Sequence, residues 1–159
     1  MRETTETLLA KHPFLEGMEL QHLSFIAGCG SNVHFDADQY IFREGEQADQ
    51  FYLIRQGKVA LEISVPGRGP LIIETIGEGD VLGWSFCFPP YRRHWDARAL
   101  EVTRVISLDQ ACIRAKCAED HDLAYDFMRR CARVLIERLD ATRLRLTDMY
   151  GAHLRDKVG

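Results

Sequence analysis

The sequence predicts a mainly β plus α protein: an antiparallel β-roll or jelly roll, flanked by short N-terminal helices and a long C-terminal helix. Three observations lead there. From Asn32 to Leu82 the chain runs in short alternating apolar stretches broken by glycine-rich turns. The residues before Asn32 carry helical spacing instead. From Leu123 to Tyr150 there is no Gly or Pro for 28 residues. A chain of 159 residues, 46% of them hydrophobic, can bury one sizeable core.

The elements follow in order. Thr4 to Ala10 reads as one or two helical turns, stopped at His12-Pro13. Glu19 to Ala27 places Leu20, Leu23 and Ala27 on one helical face. Strands are expected at Asn32–Phe35, Gln39–Phe42, Gln50–Arg55, Lys58–Val65, Leu71–Ile76 and Val81–Leu82. Turns separate them at Glu44-Gly45-Glu46, Gln56-Gly57, Pro66 to Pro70 and Gly77 to Asp80. Two more strands, Ala97–Leu100 and Thr103–Leu108, precede a short helix that begins at Asp109. The domain reading is a β-roll with its leading helices over 1–120, then the long helix and a tail over 121–159, the tail being Gly151 to Gly159.

The long helix carries a heptad seam. Met128, Ala132, Leu135, Leu139, Thr142, Leu146 and Met149 recur at alternating steps of four and three. A second stripe, Phe127, Cys131 and Val134, runs along another side. One domain can hardly cover both sides of a helix about 42 Å long. A parallel homodimer through Leu135, Leu139, Leu146 and Met149 is therefore expected.

Composition excludes several function classes. The net charge is −4, although residues 121–159 hold eight Lys/Arg against six Asp/Glu. That balance argues against DNA binding by this chain alone. No 18-residue apolar run and no N-terminal apolar segment occurs, so neither membrane insertion nor secretion is expected, and the reading is cytoplasmic. The five cysteines, Cys29, Cys87, Cys112, Cys117 and Cys131, are scattered without a C-x-x-C, which reads as reduced cytosolic thiols. The six histidines form no H-x-H, and no P-loop, nucleophile elbow or Rossmann fingerprint appears. No metal, no cofactor and no catalysis are expected.

The segment "LGWSFCFPPYRRHWDAR", Leu82 to Arg98, fits neither a strand nor a long helix. Six of its seventeen residues are aromatic or His, and it pairs Pro89-Pro90 with Arg92-Arg93. Upstream, "IFREGEQADQFYLIRQGKVAL" fixes Ile41, Gly45, Glu46, Ala48, Phe51-Tyr52-Leu53-Ile54 and Gly57. In these residues the chain resembles the cyclic-nucleotide-binding domain, the effector half of catabolite-activator-type regulators and of kinase regulatory subunits, without a winged-helix DNA-binding domain. The resemblance spans nearly the whole chain. Phe42, where a small aliphatic residue is usual, departs from the pattern.

The resemblance implies that Leu82 to Arg98 is the phosphate-binding cassette. There a glycine and a glutamate lead into a short helix whose N–H groups, with a following arginine, cradle a cyclic phosphate. Gly83 matches the glycine, and Arg93 falls at the arginine's spacing. Trp84 stands in the place of the glutamate that grips the ribose, and Trp95 in the place of a small residue. The anion end is kept and the sugar end is lost. The expected ligand residues are Gly83, Trp84, Ser85, Phe86, Cys87, Arg92, Arg93, Trp95 and Thr142.

Alternatives stay open at this level. Either Arg92 or Arg93 faces the pocket, and Arg93 either holds an anion or pairs with Asp96 or Glu78. Trp84 and Trp95 either stack on a ligand or fill the old pocket. His94 is a ligand or proton switch, or an ordinary surface residue, and Asp96 is a candidate partner for an arginine or for His94. Two function classes follow. One is a regulatory sensor for an anionic small molecule, a poor binder of cAMP; the other is a dimeric adaptor with a filled pocket.

Overall fold

The computed structural model describes residues 3–158. Helix α1 (Thr5–Lys11) and helix α2 (Leu20–Ala27) flank a 3-10 turn at Pro13–Leu15. Eight strands follow: β1 (Gly30–Phe35), β2 (Tyr40–Phe42), β3 (Gln50–Gln56), β4 (Lys58–Val65), β5 (Gly69–Gly77), β6 (Val81–Leu82), β7 (Asp96–Ala99) and β8 (Thr103–Asp109). Helices α3 (Gln110–Glu119) and α4 (His121–Val158) end the chain. All eight expected strands form, two with the expected ends and the rest with ends shifted by one or two residues. The expected tail is helical from Gly151 through Val158, because a single glycine costs a helix only about 1 kcal/mol. The chain makes two compact units, the first ending at Ala124 and the second starting at Tyr125.

Two four-stranded antiparallel sheets, β1-β8-β3-β6 and β2-β7-β4-β5, build the β-roll. The alternation of β3 shows how they share a core. Tyr52 and Ile54 join Phe35, Phe42, Val59, Leu61, Ile76, Leu82 and Val105 in a buried cluster. Phe51 lies on the opposite face of the strand, where its ring meets Phe14 at 5.4 Å and Phe86 at 5.0 Å. A strand covered on both sides reads as a continuous apolar run, as Phe51 to Ile54 does. At the β3–β4 turn, Gly57 has φ +115°, and a Cβ there would fall 2.5 Å from Thr103 Oγ1. That position excludes a side chain on both counts.

The cysteines depart from expectation. Cys29 and Cys112 form a disulfide, which Cys87, Cys117 and Cys131 do not join. Sequence spacing gives no hint of this pair, which is 83 residues apart. The fold brings them together because Asp109 N donates to Cys29 O at 3.0 Å and Gly30 pairs with Leu108, so the start of β1 lies beside the start of α3.

His12 joins the helices to the sheet. It is buried; Nδ1 accepts from Phe14 N at 3.2 Å, and Nε2 donates to Ile54 O at 3.0 Å. The bond that Nδ1 accepts requires the neutral ring. Burial pushes its pKa below the ordinary histidine value, outweighing the carbonyls of Ile54 and Asp80. The unfolded chain then takes up this proton first, below about pH 6.5. Stability is therefore full above that pH and is lost as pH falls through it. Thermal melts should show Tm dropping between pH 7 and pH 5.5, and His12→Asn, which does not titrate, should flatten that part of the profile.

Candidate functional site

The cassette starts where β6 ends. Val81 and Leu82 pair with Leu53 and Tyr52 of β3. Gly83 then adopts φ +101° and ψ 34°, a left-handed turn that sends the chain into a short 3-10 helix, Trp84–Cys87. Phe86 N donates to Gly83 O at 3.1 Å, and Phe88 N to Ser85 O at 3.4 Å. Pro89 and Pro90 offer no N–H and disfavour helical backbone before them, so the helix stops after one turn. Ser85 and Phe86 are buried, Phe86 by its stack on Phe51, whereas Cys87 is half-buried.

Past the prolines the backbone is clamped to the "EGEQA" turn. Ala48 N donates to Tyr91 O at 2.6 Å, Arg93 N to Glu46 O at 2.9 Å, and Gly45 N to Arg93 O at 2.9 Å. The turn whose residues Gly45, Glu46 and Ala48 stood out in the sequence thus seats Arg93 through its backbone. Extended backbone alternates its side chains. Arg92 is exposed, with Nη1 donating to Gly45 O at 3.4 Å, while Arg93 is 3% exposed. Arg93 is the inward residue of the two.

The Arg93 guanidinium lies 4.2 Å over the Phe42 ring and 5.9 Å from that of Tyr52. Nη2 donates to Gln50 O at 2.6 Å. Nη1 lies so close to Gly83 that a Cβ there would be 2.6 Å away. Nε and Nη1 are buried without a hydrogen-bond partner. Burial lowers the Arg93 pKa, offset in part by Tyr52, Asp49 and Glu46. An arginine this far above neutrality keeps its charge. The result is a buried cation with donors to spare beside the first turn of the short helix.

Trp84, His94 and Trp95 cluster together. Trp84 stacks on His94 at 5.2 Å and 17°, and meets Trp95 edge-on at 5.8 Å. Trp95 packs against the core cluster, and His94 is exposed. The alternative pairing of Arg93 with Asp96 or Glu78 is not formed; its Nη2 bonds the Gln50 carbonyl instead. Asp96 accepts from Glu44 N at 2.7 Å and lies 3.5 Å from Arg43 Nε. It therefore fixes Arg43, not Arg93 or His94. Thr142 belongs to the second compact unit; it is exposed, and its hydroxyl donates to Arg138 O at 2.9 Å. Sequence reasoning missed Gln50, whose carbonyl is visible only in the fold. It also left Phe42 unexplained, although a ring at that departure is a signal for a stacked cation.

The cyclic nucleotide-binding domain family matches residues 32–120, more than half of the chain. The chain belongs to that family. The cyclic nucleotide-binding domain of this chain is 26% identical, over 153 residues, to a CRP-like cAMP-activated global transcriptional regulator of Mycobacterium tuberculosis. That alignment covers 96% of this chain and 66% of the regulator, just under two thirds of its length. A cyclic nucleotide-binding domain from Methylobacillus flagellatus superposes with a TM-score of 0.78 at 17% identity, covering 92% of this chain and 82% of the other. The catabolite activator protein of Thermus thermophilus gives 0.69 at 20% identity, covering 87% of this chain and 63% of the other. Both structures share the β-roll architecture. No helix among the described residues is long and apolar enough to cross a membrane.

Gly83 and Arg93 interlock, so replacing the glycine tests the geometry. Gly83→Ala places a side chain at φ +101° and against Arg93 Nη1. It should cost about 1–3 kcal/mol, read as a lower urea midpoint with an unchanged slope.

Proposed function

We propose that this cyclic nucleotide-binding domain is a regulatory sensor, binding rather than catalytic, whose cassette takes a compact or flat anion in place of an ordinary cyclic nucleotide. One observation carries the reading: Arg93 is buried with Nε and Nη1 unpartnered. Donors buried without acceptors are costly and rare in folded proteins. An anion against these two nitrogens and the first N–H groups of the Trp84–Cys87 helix satisfies them. The ribose end is closed by the stack of Trp84 on His94, which suits a planar group better than a sugar.

The missing glutamate removes a charge-assisted bond of about 1.5–3 kcal/mol, a loss of roughly 10- to 100-fold in affinity. In calorimetry, inorganic phosphate or a small planar phosphate ester should bind, while cAMP and cGMP should bind more weakly than ~100 μM. Arg93→Met should abolish the anion binding and leave the fold intact. Retention of binding in Arg93→Met, or tight cAMP binding by the parent chain, overturns this reading. Failure of every anion to bind favours a dimeric adaptor whose pocket the indoles fill.

The sensor is further proposed to act as a cytoplasmic homodimer, and not to bind DNA through these residues. On α4, Phe127 and Cys131 are buried, whereas Met128 is 39%, Leu139 51%, Leu146 49% and Met149 68% exposed. Leu135 is half-buried on the same seam. An uncovered heptad stripe of this length suits a second copy of itself. Light scattering should give a dimer at tens of micromolar, by order of magnitude, and Leu139→Asp should give a monomer.

A further inference from the structure

The disulfide lies next to the cassette. Cys112 sits in the first turn of α3, where its N–H donates to the Asp109 carboxylate at 3.0 Å. The same turn begins with Gln110, a buried residue whose Nε2 donates to the Phe86 carbonyl in the short helix at 2.6 Å. One turn later, Arg114 lies 4.9 Å over the ring of Tyr91. Tyr91 is two residues before Arg93 and has its carbonyl bound by Ala48 N. Helix α3 thus holds the cassette at Phe86 and at Tyr91, and the bond to Cys29 is made between those two holding points. On the other side, Cys29 follows α2 and leads straight into β1, so the crosslink fixes α3 to the edge of the sheet.

We propose that Cys29–Cys112 is a reversible redox site, and that its state sets how firmly α3 holds the cassette. The oxidant is a peroxide. Cys112 is the half-buried member of the pair, and Cys29 is 7% exposed. As the more exposed sulfur of the reduced pair, Cys112 is the one that reacts as a thiolate. That thiolate attacks a peroxide oxygen, the O–O bond breaks, and the sulfur becomes a sulfenic acid with release of water. The Cys29 thiol then displaces the sulfenic oxygen as a second water, forming the S–S bond. The two thiols lose two electrons and two protons in all, and one hydrogen peroxide becomes two waters. A dithiol reverses the step: one of its sulfurs attacks the Cys112 sulfur and frees Cys29, and its second sulfur closes its own disulfide and frees Cys112. Burial pushes the Cys117 thiol up, and neighbouring Cys87 raises it further, so that thiol is the poorer nucleophile.

Opening the bond leaves α3 held to the cassette by the Gln110 bond and the Arg114 stack, while its own anchor to β1 is loosened. The link to the cassette follows from these contacts alone; its effect on ligand rests on the anion site proposed above. The experiment therefore uses two readouts on the full chain. The protein is prepared reduced with dithiothreitol and oxidised with hydrogen peroxide, and the Cys29–Cys112 state is assigned by thiol labelling and mass spectrometry. Hydrogen–deuterium exchange is followed over Trp84–Arg93, and inorganic phosphate is titrated by calorimetry.

The oxidised form should protect the cassette amides at least about fivefold more than the reduced form, and phosphate affinity should change by a similar factor. Cys29→Ser should exchange like the reduced form under both treatments. Arg114→Ala, a change at an exposed position, should keep the disulfide and shrink the difference, and Gln110→Met should shrink it further. Equal protection in the two forms overturns the proposal, as does a disulfide that dithiothreitol opens only when the protein unfolds. A protection difference without any phosphate binding overturns the anion reading and supports the redox coupling. Phosphate binding with equal protection does the reverse.

Discussion

The guanidinium of Arg93 is the group around which the segment from Gly83 to Trp95 is arranged. Its backbone is held by the turn at Gly45 and Glu46, its Nη2 by the Gln50 carbonyl, and its flat face by Phe42. Each of these contacts constrains another residue. Gly83 has to lack a side chain because Nη1 occupies the space where one would stand. The left-handed turn at Gly83 in turn directs the short helix so that its first turn opens beside the same cation. A buried positive charge is costly in a low-dielectric interior unless something offsets it. Here a single carbonyl and two aromatic faces do so in part.

Much of the fold was legible because it is written in period and punctuation. The strands announced themselves through alternating apolar residues, and Gly57 and Gly45 marked turns that require positive φ, at +115° and +85°. The family resemblance placed Gly83 and Arg93 at opposite ends of the cassette. What was hidden depends on contacts between residues distant in the chain. The choice between Arg92 and Arg93 is made by which of them pairs with Glu46, and the partner of Asp96 is Arg43 because β7 runs beside β2. The Cys29–Cys112 bond is of the same kind, since it needs β1 beside β8 before the two sulfurs can meet. The end of α4 was misjudged for a local reason: one glycine was read as a terminator where it is a tolerated interruption.

Two departures from the family pattern belong together. Phe42 stands where the resemblance implies a small aliphatic residue and lies under the guanidinium; Trp84 stands where it implies an acid and stacks on His94. An acidic side chain at position 84 would have offered Arg93 a nearby countercharge. Without it, the cation is stabilised by ring faces, a weaker and less directional form of compensation.

The depth of Arg93 has a kinetic consequence. A cation that is 3% exposed cannot be reached by an anion in a single diffusive collision. For the proposed anion to arrive, side chains at the rim around it have to swing aside first. Apparent affinity is then the intrinsic affinity multiplied by the fraction of time the rim stands open. Arrival rates level off at high ligand concentration at the frequency of that opening.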